Sequence, residues 1–133
     1  MSDARLVPDP AGLNAEWYER LRRDGLSFQR CGGCGRWRHP PRYLCSGCGS
    51  GDWSWARAAG TGTLFTWTVT HQALHPGFEV PYAVGVAELD EGVRLVAGIR
   101  GAAFADLALG LPVVVEREVL TEAITLPVLR PTR

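Results

Sequence analysis

CGGCGRWRHPPRYLCSGCGS, residues 31–50, holds every cysteine of a 133-residue chain. The pattern is C-x2-C, ten residues, then C-x2-C, with thiols at Cys31, Cys34, Cys45 and Cys48. Two residues between paired cysteines let both sulfurs turn toward one point, and the glycines at 35 and 49 permit a tight backbone turn after each pair. Two such knuckles facing each other make a tetrahedral four-thiolate site, here with a spacer shorter than the usual range. Four protein ligands leave the metal no open position for water or substrate, so hydrolytic chemistry at the metal is disfavoured. A zinc deaminase would also need His-x-Glu ahead of Pro-Cys-x-x-Cys, and the chain has neither. One structural zinc per chain is the expectation. Iron with one-electron transfer is the rival, since thiolate knuckles also hold iron, and a disulfide or redox dithiol is the third reading.

Zinc with four thiolates carries a formal charge of about −2. Arg30, Arg36, Arg38 and Arg42 are therefore read first as its neutralisers. Phosphate binding, which suits the guanidinium fork, is the functional alternative for these four. Trp37 and Tyr43 read as the small core of the ribbon, with stacking on a base as the alternative.

N-terminal to this module, LNAEWYERLRRDG (13–25) reads as a helix capped by Asn14, with arginines 22 and 23 in its last turn and Gly25 as its stop. Leu13, Trp17 and Leu21 recur every four residues with Tyr18 beside them, a narrow apolar stripe. The stripe packs on its own domain or docks on another protein. As a docking stripe its central anchor is Trp17.

C-terminal to the module the texture changes. GTGTLFTWTVTHQ alternates, PYAVGVAELD and VRLVAGIRG flank the turn Glu91-Gly92, and PVVVEREVL and AITLPVLRP follow. Five short strands in one small segment suggest a barrel, whose closure hides sheet edges. ALHPGFEV at 73–80 reads as an exposed loop. The expected organisation is a lead-in and helix over 1–25, a ribbon over 26–57 and a barrel over 58–133.

The whole chain has 14 basic and 14 acidic residues, so no general attraction to nucleic acid or anionic membrane is expected. All 14 basic residues are arginines, which removes lysine Schiff-base chemistry. The start, MSDARLVPDPAG, lacks a signal-type apolar core, and the longest apolar run, 107–115, is too short to span a bilayer. A cytoplasmic location, with no membrane contact, is expected. His71 and His75 lack further ligands at metal spacing, and Ser27, Ser46, Ser50 and Ser54 lack a nucleophile-elbow context. No catalytic set converges in the sequence.

Taken in order, EWYERLRRDGL, the cysteine pairs with Pro40-Pro41-Arg42, Gly60-Thr61-Gly62-Thr63 and Leu89-Asp90-Glu91-Gly92 resemble the zinc-ribbon plus OB-fold family catalogued as domain of unknown function thirty-five. The resemblance spans about residues 14–131. It implies a mainly β protein: an N-terminal helix, a rubredoxin-like zinc ribbon and a five-stranded OB-fold barrel. It also implies a non-catalytic accessory subunit. Such subunits form hetero-oligomers with thiolase-like enzymes acting on acyl-CoA thioesters, including aldolases that cleave steroid side chains. There the partner supplies the catalytic residues, and the small subunit helps enclose the path of a shared acyl-CoA ligand. On that reading Arg36, Arg38 and Arg42 are the candidate CoA contacts, and Leu13, Trp17, Tyr18 and Leu21 the candidate partner contacts. The alternatives are a single-stranded nucleic-acid-binding OB-fold protein and an iron-thiolate electron carrier. The net acidity of residues 58–133, five arginines against eight acids, argues against the first.

Overall fold

The structure is a computed structural model that describes residues 6–132. Residues 1–5 of the expected lead-in and residue 133 of the expected barrel segment lie outside the described residues. Helix α1 (Gly12–Arg23) comes first, then β1 (Ser27–Cys31), β2 (Trp37–Arg38), β3 (Trp53–Arg57), β4 (Thr61–Thr70), β5 (Tyr82–Leu89), β6 (Arg94–Ile99), β7 (Pro112–Val119) and β8 (Thr125–Pro131).

Strands β1–β3 form a small antiparallel sheet in the order β2-β1-β3. Strands β4–β8 close into a five-stranded barrel in the order β4-β5-β6-β8-β7, with β7 returning to β4. All barrel pairs are antiparallel except β6–β8, which meet in parallel through Gly98↔Val128 and Ile99↔Leu129. The mainly β architecture with one helix and a five-stranded OB-type barrel is as expected.

The two stretches of the barrel that carried the resemblance sit against each other. The Asp90 amide donates to the Thr61 carbonyl, the Thr61 hydroxyl donates to the Asp90 carboxylate, and the Ala59 amide donates to a Glu91 carboxylate oxygen at 2.7 Å. The Leu89–Gly92 turn therefore latches onto the start of β4. Gly62 is required by this approach, because a Cβ there would overlap the Glu88 carbonyl.

Helix α1 departs from expectation at its start. Its N-cap is Ala11, which makes no side-chain bond, and Asn14 lies inside the first turn. The C-terminal end is conventional, with Arg20, Arg22 and Arg23 in the last turn, where cations oppose the helix dipole. Arg117 of β7 reaches across to the carbonyls of Leu21 and Arg22 at 3.3 and 3.4 Å.

The inward face of α1 joins the two sheets. Trp17, Leu21 and Phe28 belong to one continuous buried cluster with Leu64, Ala87, Leu95 and Leu129 from the barrel. Trp17 is only 4% exposed, and its indole N–H donates to the Ser27 carbonyl at 2.8 Å. Leu13 and Leu21 are buried as well. The stripe is thus spent within the chain, the first of its two readings: Leu13, Trp17 and Leu21 do not project from the surface, and Tyr18 is half-buried beside them. The physical reason is that Phe28 and the barrel together supply enough apolar surface to cover it. Replacing Trp17 with alanine would damage this fold before it touched any assembly.

Candidate metal centre and its basic surround

The four cysteines converge as their spacing requires. Their sulfurs all lie within 4.8 Å of one another, with Cys31–Cys48 and Cys34–Cys45 both at 3.6 Å. A tetrahedral zinc with Zn–S bonds near 2.3 Å demands sulfur separations of about 3.8 Å, so the cage fits the ion. Cys31 ends β1, and Cys34 follows it on a turn whose Gly35 sits at φ 80°. The second knuckle repeats the device, with Gly49 at φ 77°. In each knuckle backbone amides point at the first sulfur: Gly33 and Cys34 donate to Cys31 Sγ at 3.3 and 3.4 Å, and Gly47 donates to Cys45 Sγ at 3.3 Å.

The chemistry of the donors also calls for a cation. The amides of Cys48 and Gly47 bring the Cys45 thiol down to about 6. Amide donation from Cys34 likewise lowers Cys31. The Ser50 amide draws Cys48 the same way, but the sulfur of Cys31, burial and the remaining sulfurs outweigh it and push that thiol up to about 11. Four thiolates cannot share so small a space without a dication among them. Cys31 and Cys45 are buried and Cys34 and Cys48 exposed, so the cage sits at the surface with all four of its positions taken by protein.

The arginines around the cage play unlike roles. Arg30 lies over the Trp37 ring at 5.3 Å and donates to the Gly35 carbonyl at 3.1 Å, bracing the first knuckle. Arg38 donates through Nε to Gln29 Oε1 at 2.8 Å and through Nη2 to the Arg42 carbonyl at 2.9 Å. Gln29 is fully buried in β1, and the same oxygen accepts the Arg42 amide at 2.7 Å. This clasp holds the spacer against the sheet. Arg36 and Arg42 are exposed, and the Arg36 guanidinium lies across Gly47 of the second knuckle. Arg38 and Arg42 are therefore brought together by backbone bracing, while Arg36 stands apart over the metal loop.

Two residues of the spacer carry features that no sequence signal assigned. His39 is wedged between Trp17 and Phe28, with ring centroids 4.9 and 5.0 Å away. Burial pushes its pKa down to about 4, so the ring is neutral at pH 7. Tyr43 was expected inside the ribbon and is instead 69% exposed, next to Leu44 at 61%. Trp37 does pack against the main core.

His39 yields a pH prediction. The unfolded chain takes up a proton on this imidazole near pH 6.5 and the folded chain only near 4. Its contribution to stability is thus complete above 6.5 and is withdrawn as the pH falls toward 4. That gap is worth about 3 kcal/mol. His39→Phe keeps a ring between Trp17 and Phe28 and removes the titration. Urea unfolding at pH 7 and pH 4 should show the wild type losing about 3 kcal/mol more than this variant, since acid loss of metal is common to both. Equal losses in the two proteins would refute the assignment.

Among the described residues, no helix is long and apolar enough to cross a membrane.

Comparison with known proteins matches this geometry. The profile of the ChsH2 rubredoxin-like zinc ribbon domain matches residues 19–54, and that of the ChsH2 C-terminal OB-fold domain matches residues 55–117. The chain is similar to a solved component of the "Ltp2-ChsH2(DUF35) aldolase", with 42% identity and a TM-score of 0.89 over 96% of this chain and 100% of that one. It is 44% identical over 118 residues to a probable enoyl-CoA hydratase alpha subunit of Thermomonospora curvata, covering 89% of this chain but spanning only 37% of that subunit. A DUF35 domain-containing scaffold protein of Methanocaldococcus jannaschii is 31% identical over 100 residues, 73% of this chain and 70% of that protein. With the zinc-ribbon and OB-fold family models together matching residues 19–117, and a DUF35 relative matched at 31% identity over most of both chains, the chain belongs to the DUF35 family and carries its ChsH2-type zinc ribbon and OB-fold domains.

Proposed function

We propose that this chain is a non-catalytic accessory subunit that binds a thiolase-superfamily enzyme acting on acyl-CoA thioesters, an aldolase by preference, and helps enclose the CoA path. The observation that carries this reading is the full-length likeness, at 42% identity, to the DUF35 component of an aldolase assembly. A metal cage with no free coordination position is what a subunit without chemistry of its own requires. Zinc would be held by Cys31, Cys34, Cys45 and Cys48 and would supply structural cross-linking of the two knuckles. On this reading the isolated chain turns over no acyl-CoA.

CoA contact falls to Arg36 and Arg42, whose guanidinia are exposed, with Arg38 acting as the brace that positions Arg42. The acidic barrel and the covering of exposed Phe65 by the Arg94 guanidinium, 3.9 Å from the ring centre, weigh against a nucleic-acid stacking platform.

The test uses the assembled complex with Arg36→Ala and Arg42→Ala. Each should raise the KM for acyl-CoA more than it lowers kcat, with zinc still at one per chain. Loss of zinc instead would assign the arginines to neutralising the metal site. Intact zinc with unchanged kinetics would remove both roles.

A further inference from the structure

The stripe on α1 that resembled a docking surface is buried, so it does not itself project toward a partner. Most exposed large apolar residues of the barrel are poor anchors. Phe65 is roofed by Arg94, itself paired with Glu88 at 3.3 Å. Leu109 and Val119 stand in separate turns and strands, and Leu74 sits on the loop between β4 and β5. The ribbon differs. Tyr43 and Leu44 are consecutive, both exposed, and the clasp on Arg42 fixes the backbone that presents them. The Tyr43 hydroxyl lies close to Gly12, so this pair adjoins the lead-in, where Val7 is also exposed. Between the lead-in and the spacer opens a cleft of about 330 Å³ lined by Pro8, Pro10, Trp17, Tyr18, His39 and Pro40. Trp17 forms part of its wall rather than projecting from it.

Charge selects the partner. Residues 26–57 carry five arginines and one acid, and the ribbon stays positive even after the formal charge of about −2 on a zinc-thiolate centre is subtracted. Among the described residues, the only acid on the cleft is Asp9. Exposed apolar residues flanked by the exposed Arg42, on a module of net positive charge, are complementary to an apolar projection bordered by acids.

We propose that the face formed by the lead-in at Val7–Pro10 and the spacer at His39–Leu44 is where the catalytic subunit docks. It inserts one aromatic or branched aliphatic side chain into the cleft and places an acidic rim against Arg42. This rests on the accessory-subunit reading and adds the surface and the chemistry of the partner. The docking seam then runs beside Arg42, one of the two arginines proposed to meet CoA, which puts it at the boundary between subunits.

The experiment captures the full-length wild-type chain with its enzyme from the cells that make both, identifies the enzyme by mass spectrometry and purifies it. Calorimetry then measures its binding to Tyr43→Ser, Leu44→Glu, Leu44→Arg and, as a control on the opposite domain, Val96→Glu. All three positions are exposed, so the four variants should keep wild-type zinc content and circular dichroism. Tyr43→Ser and Leu44→Glu should each weaken binding at least about tenfold, Leu44→Arg less than Leu44→Glu, and Val96→Glu less than about twofold. Wild-type binding by both Tyr43→Ser and Leu44→Glu would overturn the docking face and leave the accessory reading standing. Stronger loss with arginine than with glutamate would overturn the acidic rim. If the wild-type chain brings down no thiolase-type enzyme, the accessory reading fails and this proposal fails with it.

Discussion

Cys45→Ser protein will purify with far less than one zinc per chain and will be cut by protease within residues 32–52, where the wild type resists. Cys45 is the buried first thiol of the second knuckle, and its sulfur accepts the Gly47 amide and lies 3.6 Å from Cys34 Sγ. A serine hydroxyl is a poor zinc ligand, and three remaining thiolates leave the ion open to water and exchange. Metal affinity at such a site is also folding free energy, so the two knuckles lose the link that holds their ends together. The damage should stop at the sheet. Phe28, Trp37 and Trp55 pack on the main cluster, and β1 is paired with β3 along its full length, from Ser27↔Arg57 to Cys31↔Trp53. Elemental analysis and limited proteolysis check both halves of this statement. Unchanged zinc, or unchanged cleavage with the zinc lost, would contradict it.

Phe28→Ala should lower the stability of the whole chain by roughly 3–5 kcal/mol, the range for truncating a fully buried phenylalanine. Phe28 is 0% exposed. It touches Trp17 in stacked geometry at 6.5 Å and His39 at 5.0 Å, and it shares its cluster with Leu64 and Leu129 of the barrel. A cavity at this point undercuts helix, ribbon and barrel together. Urea unfolding followed by tryptophan fluorescence and by far-UV circular dichroism should give coincident transitions, both shifted to lower urea. A loss below about 1 kcal/mol, or a fluorescence transition that moves while the dichroism stays in place, would show that the ribbon and barrel have separate cores.

Much of this was legible in the sequence because its signals are local. The cysteine pairs state their own geometry, and the alternation in β4–β8 with a turn at Glu91-Gly92 marks the barrel strands. What stayed hidden depends on contacts far apart in the chain. A stripe such as Leu13, Trp17 and Leu21 says that something covers that face of the helix and leaves open what does; Phe28 and the barrel core do so here. Gln29 looks like an ordinary polar strand residue until the Arg42 amide, thirteen positions on, is found bonded to it. Tyr43 was read as interior because aromatics usually are. The clasp on Arg42 by Gln29 and Arg38 instead leaves the next two side chains facing solvent. His39 has no periodicity to announce its burial, which comes from α1 closing over the spacer.

The short link between ribbon and barrel is tied at every step. The Ala58 amide bonds to the Leu26 carbonyl, the Ala59 amide to Glu91, and the Gly60 carbonyl to the Val115 amide, at 3.0, 2.7 and 2.8 Å. With a common apolar core beside it, this link has none of the slack that lets neighbouring units swing. Ribbon and barrel are held as one piece, each fixed against the other. Whatever binds one of them thereby fixes the aim of the other, and orientation passes along the chain with no moving part.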